Sequence, residues 1–312
     1  MSRLRVSPAT LTITVLVGLS TATLYACDDT PVADRTTALS AARADVEAPG
    51  QHREYGVPVR VGNARARTYV VLDERVGGTP LEIGVALDGD ALEGLPAPMP
   101  MPPGGDMNHE DSHRFELPLP ARHGTPYRFV ELDWNPGGHG YPYTQGHFDF
   151  HFYNVDRATR DAIDPARMSE AEYAARSAAF PGAPEVPPFY VPLVMPGTPP
   201  RAVARMGMHW GDVRSPELQV IVGNPTGYRP FTTTFFRGSW DGRFIFDEPM
   251  VTRAFIQSRR AASDAAQRDT VIALPTAASY SPAGYHPAGY HVGWDAQARE
   301  YRIGLTPLAR AQ

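Results

Sequence analysis

Residues 146–155 read GHFDFHFYNV. Phe148, Phe150 and Phe152 take every second position, and His147, Asp149 and His151 fall between and around them. Side chains alternate faces along a strand, so this period of two predicts a β-strand with one aromatic face and one His/Asp/His face. A helix would bring residues four apart together, as in HExxH metal sites, but does not suit the alternation. At about 3.3 Å per residue, His147 and His151 stand roughly 13 Å apart on a straight strand, too far to share one ion. Either Asp149 pairs with one of the histidines, or the strand begins after Gly146 and His147 sits in a bend. The plain alternative is an antiparallel strand with one wet face, on which His and Asp simply meet water.

Other segments supply residues of the same chemistry. Ahead of the strand, WNPGGHGYPYTQGH carries His139 in a Gly/Pro/Tyr loop that can fold back beside His147. Farther on, Met206-Gly207-Met208-His209-Trp210 brings another histidine, with Asp212 and Glu217 close by, and Glu248 stands before proline in FDEPM. The candidate metal ligands are therefore His147, Asp149, His151, His209, Glu248 and His139. Neutral imidazoles and carboxylates from separated strands suit a divalent metal such as zinc, iron(II) or manganese. The loop at 95–113, LPAPMPMPPGGDMNHEDSH, is too rich in proline and glycine to be regular. Its Met99, Met101, Met107, His109 and His113 are attractive to copper, since thioether sulfur is a soft ligand, although irregular Met-rich loops are more often just loops and no spacing repeats among them.

The chain carries 28 glycines and 32 prolines, which favour short strands and many turns over a helical bundle. The expected fold is mainly β with a few short helices, either a β-sandwich or a cupin-like barrel. Strands are predicted in YGVPVRVG, RARTYVVLDE, PLEIGVALD and PYRFVELDWN. Asp241-Gly242 signals a tight hairpin, and GYHVGWDAQAREYRIGLTPL reads as a last hairpin with Tyr301, Ile303 and Leu305 on one face. A helix is expected over 164–180, with Asp164 as cap, Pro165 first, and Ser169 with Glu172 as a capping box; a shorter one is expected within 253–268. The repeat PAGYHPAGYH at 282–291 is explained by slippage in DNA copying. Residues 53–312 read as a single β-rich domain, with 253–312 as a possible C-terminal subdomain.

The start, MSRLRVSPATLTITVLVGLSTATLYACDD, has the arginines and apolar run of a secretory signal, and the run falls short of the roughly 20 apolar residues a spanning helix needs. A small residue followed by Cys27 looks like a lipobox, so residues 1–26 are expected to be a lipoprotein signal peptide, Cys27 the lipidated residue, and 27–52 a flexible tether. An ordinary signal cut near Ala26 is the alternative. The protein is then exported and lipid-anchored to a bacterial membrane, in the periplasm or at the cell surface. Cys27 is the sole cysteine, which excludes an internal disulfide, a cysteine metal site and a catalytic thiol. All 29 basic residues are arginine, which excludes a lysine Schiff base and a P-loop. A net charge of −5 without a basic run gives no reason to expect nucleic acid as a partner. No GxSxG occurs, and Ser239 reads as part of the hairpin rather than as a nucleophile.

Taken together, WNPGGHG, GHFDFHFY, MGMHWGD and FRGSWDGRFIFDEPMVT resemble a family of exported bacterial proteins of unknown function, one member of which is known as a sigma-E/anti-sigma-E-regulated protein. The resemblance covers roughly residues 55–305 and places His139, His147, Asp149, His151, His209 and Glu248 at motif positions. The family tends to read Phe-Thr-His-Thr where this chain has Phe231-Thr232-Thr233-Thr234; were that histidine a ligand, Thr233 would leave the site incomplete. No activity comes with the resemblance. The expected function is that of a cell-envelope lipoprotein binding a divalent metal, with an open coordination position for water or a small-molecule ligand. The alternatives are a non-enzymatic stress-response or binding module with a structural histidine network, and a metal-dependent hydrolase or oxygenase.

Overall fold

Phe148, Phe150 and Phe152 lie fully buried between two antiparallel sheets, on a strand that runs His147–Tyr153. In the computed structural model, which describes residues 49–98, 112–194 and 199–311, strands are numbered in chain order. The first sheet holds β1 (Gln51–Tyr55), β2 (Val59–Val61), β3 (Ala64–Asp73), β4 (Thr79–Asp88), β12 (Asp269–Ala273), β14 (Gly289–Asp295) and β15 (Glu300–Leu305). Its order is β1-β3-β4-β15-β14-β12, with β2 also on β3. The second holds β5 (His113–Pro118), β6 (Phe129–Asn135), β7 (His147–Tyr153), β8 (Tyr190–Pro192), β9 (Met208–Asp212), β10 (Thr233–Trp240) and β11 (Arg243–Thr252), in the order β5-β6-β7-β11-β10-β9-β8. A two-stranded ribbon, β13 (Gly284–Pro287) with β16 (Leu308–Ala311), completes the strands.

The two large sheets face each other across one core. Ile83, Val85, Val292, Ile303 and Leu305 come from the first sheet; Val130, Leu132, Phe235, Phe244 and Val251 join the three phenylalanines from the second. Of the two forms expected, the molecule takes the sandwich: the described strands make two layers and close no barrel. Tyr301, Ile303 and Leu305 share the core-facing side of β15, as their alternation requires. Residues beyond 253 do not stand apart, since β14 and β15 lie inside the first sheet and β15 pairs with β4. The first strand takes in Gln51 and His52, which the sequence places in the tether.

The second sheet is two meanders joined along one line. Strands β5, β6 and β7 follow one another, β8 to β11 follow in reverse, and the β7–β11 pairing is the seam between them. Asp241 and Gly242 make the β10–β11 turn with φ of 51° and 83°, the positive values that a two-residue primed turn needs. The stretch read as one helix over 164–180 is two elements: a 3₁₀ turn at Pro165–Arg167, then α2 (Glu170–Ala178), which follows the short α1 (Arg157–Asp161). Met168 is extended between them, yet both N-caps form: Asp164 accepts the Ala166 N–H and Ser169 accepts that of Glu172, whose own carboxylate pairs with Arg176. The region at 253–268 likewise divides into α3 (Arg253–Ala261) and α4 (Ala265–Arg268), capped by Thr252 and Asp264. Residues 1–48, with the expected signal, Cys27 and most of the tether, lie outside the described residues, as do Met99, Met101, Met107 and His109 of the Met/His loop. His113 opens β5 and donates from Nε2 to the Ala97 carbonyl at 3.0 Å.

Candidate metal centre

The face of β7 opposite the phenylalanines is not wet. His147, Asp149 and His151 are each 0% exposed. Two small apolar clusters cover it: Ile163, Tyr173, Ala202 and Met206 against Phe129, Tyr153 and Phe246, and Tyr143, Leu218 and Phe231 against Phe236 and Met250. The polar side chains of β7 are closed in beneath these two lids.

Register decides which of them meet. Asp149 pairs with Asp133 of β6 on one side and Met250 of β11 on the other; His147 pairs with Asn135 and Thr252. Glu248 lies two residues from Met250, on the same face and one row nearer Phe246, which brings it beside His151. On β9, His209 pairs with Gly238, whose missing side chain makes room: a Cβ there would sit 2.0 Å from the Phe246 ring. That opening lets His209 reach over Phe246 toward Glu248.

The six candidates therefore separate into two triads. His139, His147 and Asp149 form one, and His151, His209 and Glu248 the other, with one ligand atom from each residue lying within 4.8 Å of the others. A single cluster holding both His147 and His151 does not form, because four residues of extended chain separate them on one straight strand. Of the two options for the strand, the structure takes the first: β7 begins at His147 itself and Asp149 pairs with it. The triads are centred on the order of 10 Å apart along the strand, so they are separate sites rather than a bridged pair, whose ions would stand about 3.5–4 Å apart.

In the first triad, His139 Nε2 is 3.1 Å and His147 Nε2 3.2 Å from the carboxylate of Asp149. The His139 loop folds back through a bond from its own N–H to the Tyr143 carbonyl. Supporting bonds are in place: His147 donates Nδ1–H to the Gln145 carbonyl at 2.6 Å, and Asn135 donates its amide to Asp149 at 2.8 Å. Such partners fix the tautomer and orientation of metal ligands. His147 Nε2 also faces an Asp149 oxygen at 3.2 Å, outside hydrogen-bond geometry. A cation could be held between them. Burial raises Asp149, but the imidazoles of His147 and His139 outweigh it and hold the carboxyl well below the usual range.

In the second triad, Glu248 lies 3.5 Å from His151 Nε2 and 3.6 Å from His209 Nε2. Ligands about 2.0–2.2 Å from a tetrahedral ion are roughly 3.3–3.6 Å apart, so this spacing suits one. Neither ring nitrogen of His151 has a hydrogen bond. Burial brings His151 down to about 3 and His209 to about 4, so both are neutral with lone pairs to give. Burial, with Asp149 and Asp133 nearby, pushes Glu248 well above the usual carboxylate range.

Thr233 does not bear on either triad, because it points between the sheets, where its hydroxyl meets that of Tyr290 at 3.0 Å. Asp212 is engaged by Arg214 at 2.6 Å, and Glu217 is buried under the second apolar lid with burial raising it. Ser239 accepts the Trp210 indole N–H at 2.8 Å, a structural role.

Two groups of residues escaped the sequence. Glu131 and Asp133 of β6 share the triads' face; Asp133 is 0% exposed without a hydrogen bond on either oxygen, and Arg160 and Arg205 both hold Glu131. Their signal was the alternation in FVELDWN. On the outer face of the first sheet, His291 lies between Asp269 (2.8 Å from Nδ1) and Glu82 (3.1 Å from Nε2), with the Tyr69 hydroxyl donating to Glu82.

Residues 76–134 are similar to the family described as TTHB210-like, hypothetical protein TTHB210. That span runs through β4, β5 and almost all of β6 and stops short of all six ligand candidates. No curated protein and no solved structure matches the chain significantly.

Proposed function

We propose that the chain is an exported, lipid-anchored envelope protein that holds a divalent metal ion at His151, His209 and Glu248, with the fourth coordination position open to water or a small ligand, and a second ion at His139, His147 and Asp149. Zinc, iron(II) and manganese fit the imidazole and carboxylate donors. One observation carries this reading: His151 is 0% exposed and neutral, yet neither ring nitrogen makes a hydrogen bond. Leaving a buried polar group unpartnered costs about 1–3 kcal/mol, and an ion removes that cost while using the lone pair. A water on the open position would be acidified by the ion, which is the chemistry such a centre supplies.

The non-enzymatic histidine network is a second reading for the first triad, favoured there by the direct pairing of Asp149 with both histidines. Anchoring at Cys27 belongs to the proposal on the strength of the lipobox-like Leu24-Tyr25-Ala26-Cys27. Kinship to the sigma-E-regulated exported family belongs to it too, on the strength of the motifs alone, since the match over residues 76–134 includes none of the histidines of either triad. Elemental analysis of protein made without a histidine tag is expected to find at least one tightly held equivalent, reduced in Glu248→Gln. Metal-free protein whose melting is unmoved by Zn²⁺ and Mn²⁺ would overturn the metal reading. Unchanged membrane partition and lipid content in Cys27→Ser would overturn the anchor.

A further inference from the structure

Beside the metal centre, the chain makes an excursion from Pro216 to Tyr228 whose apolar tip faces outward. Val220, Ile221 and Val222 are 37%, 53% and 51% exposed. The excursion is a closed turn: Ile221 and Val222 both donate their N–H to Leu218, and Asn224 donates its own to Gln219. At its base Tyr228 stacks on Tyr141 with ring centroids 6.4 Å apart, and Tyr141 is 58% exposed. Leu218 is buried in the apolar lid over the triads, so the turn has a fixed footing and still turns its three most apolar residues outward.

Three consecutive β-branched residues at a turn tip contribute nothing to the core. The charge around them is one-sided. Across 136–146 and 216–231 the only carboxylate is Glu217, which is 2% exposed, while Arg229 is exposed. Tyrosines behind an apolar tip match the water–lipid boundary, where the ring is buried and the hydroxyl stays wet. A bilayer is also within reach, since the chain between Cys27 and Pro49 can span at most roughly 75 Å.

We propose that Val220, Ile221 and Val222, backed by Tyr141 and Tyr228, form a lipid-contacting tip that seats the domain on the membrane carrying its anchor. It rests on acylation at Cys27, proposed above, for the nearness of the bilayer. Contact by so short a tip is weak alone and is seen only with vesicle lipid in large excess; tethering raises the local lipid concentration and makes the same contact persistent. Arg229 then meets anionic headgroups, and the face bearing His139 is turned toward the membrane surface.

The test needs no acyl chain. Residues 49–312 contain every described strand of both sheets and no cysteine, so Ile221→Cys and Val76→Cys each take one polarity-sensitive fluorophore; Val76 is a 64% exposed valine in the turn between β3 and β4 of the other sheet. With vesicles of phosphatidylethanolamine and phosphatidylglycerol, the probe at 221 is expected to shift to the blue and to be quenched by lipid-borne quenchers, and the probe at 76 to do neither. With the reporter moved to Val222→Cys, Ile221→Asp is expected to raise the lipid concentration for half-saturation roughly tenfold or more. The proposal is overturned if positions 221 and 76 behave alike, both wet or both quenched. It is equally overturned if 221 stays wet on lipid but becomes shielded as protein concentration rises, because the tip then meets a second copy. Loss of anchoring in Cys27→Ser is read separately by membrane fractionation, so failure of the anchor and failure of the tip cannot be confused.

Discussion

His291 and His151 are both 0% exposed, and both lie on the outer face of a sheet. Around His291 the network is closed: Asp269 holds one nitrogen, Glu82 and Tyr69 meet the other, and Gly304 leaves the space, since a Cβ there would stand 2.7 Å from both His291 Nε2 and the Tyr69 hydroxyl. Around His151 nothing is closed; its neighbours are a carboxylate and another imidazole at distances that suit an ion better than a hydrogen bond. Depth of burial does not separate the two faces; unused hydrogen-bonding capacity at that depth does.

Acid should strain the open face most. Burial holds His151 at about 3 and His209 at about 4 in the folded chain, against an unfolded value near 6.5. The unfolded state therefore takes up protons first as the pH falls. The stability these histidines give is complete above 6.5 and drains away below it, at up to roughly 1.4 kcal/mol per pH unit for each, on the order of 5 kcal/mol in all by pH 4.5. Glu248 and Asp133, which burial pushes upward, work against this slope. Denaturant titrations of metal-free protein should therefore show the histidine contribution as the difference between the wild type and the His151→Leu/His209→Leu double variant, with His291→Asn following the wild type.

The closed face should fail by a different route. His291→Ala leaves Glu82 buried without its imidazole and is expected to cost about 3–5 kcal/mol, with the metal response intact. A loss of metal response in that variant would erase the distinction between the faces. Zn²⁺ or Mn²⁺ at a hundredfold excess over its dissociation constant should stabilise the wild type by about 2.7 kcal/mol at neutral pH, and Glu248→Gln or His209→Ala should abolish the part due to the second triad. The shift should be smaller at pH 5, because burial pushes Glu248 upward and the ion must displace its proton. The smallest effect belongs to the first triad: Asn135→Leu removes the amide that holds Asp149 and should weaken metal there by roughly 10–100-fold in a competition titration, leaving the second triad alone.

The alternation of residues 147–153 made the strand, the core role of its phenylalanines and the grouping of its polar side chains legible, because a period of two needs no partner to be read. All six ligand candidates could be named from residue chemistry. Their division into two triads could not, since it depends on β7 pairing on its second edge with β11 rather than with β8, the next strand in the chain, and on Gly238 standing opposite His209. The covering of the polar face was equally hidden, because its lids come from Tyr143, Met206, Leu218 and Phe231, far apart in the chain. His291 went unnoticed inside a five-residue repeat, although its alternation with Tyr290 and Val292 carries the same strand signal as the histidines of β7.

The seam between the two meanders has a consequence for how the sheet is held shut. His151 stands on one side of it, Glu248 and His209 on the other, and the chain between them forms long loops. An ion gripped by all three would act as a removable cross-link, shrinking the number of conformations open to the denatured chain much as a disulfide does, in a protein whose single cysteine can make none internally. The first triad, contained in residues 139–149, would restrain only a short hairpin and could supply little of this.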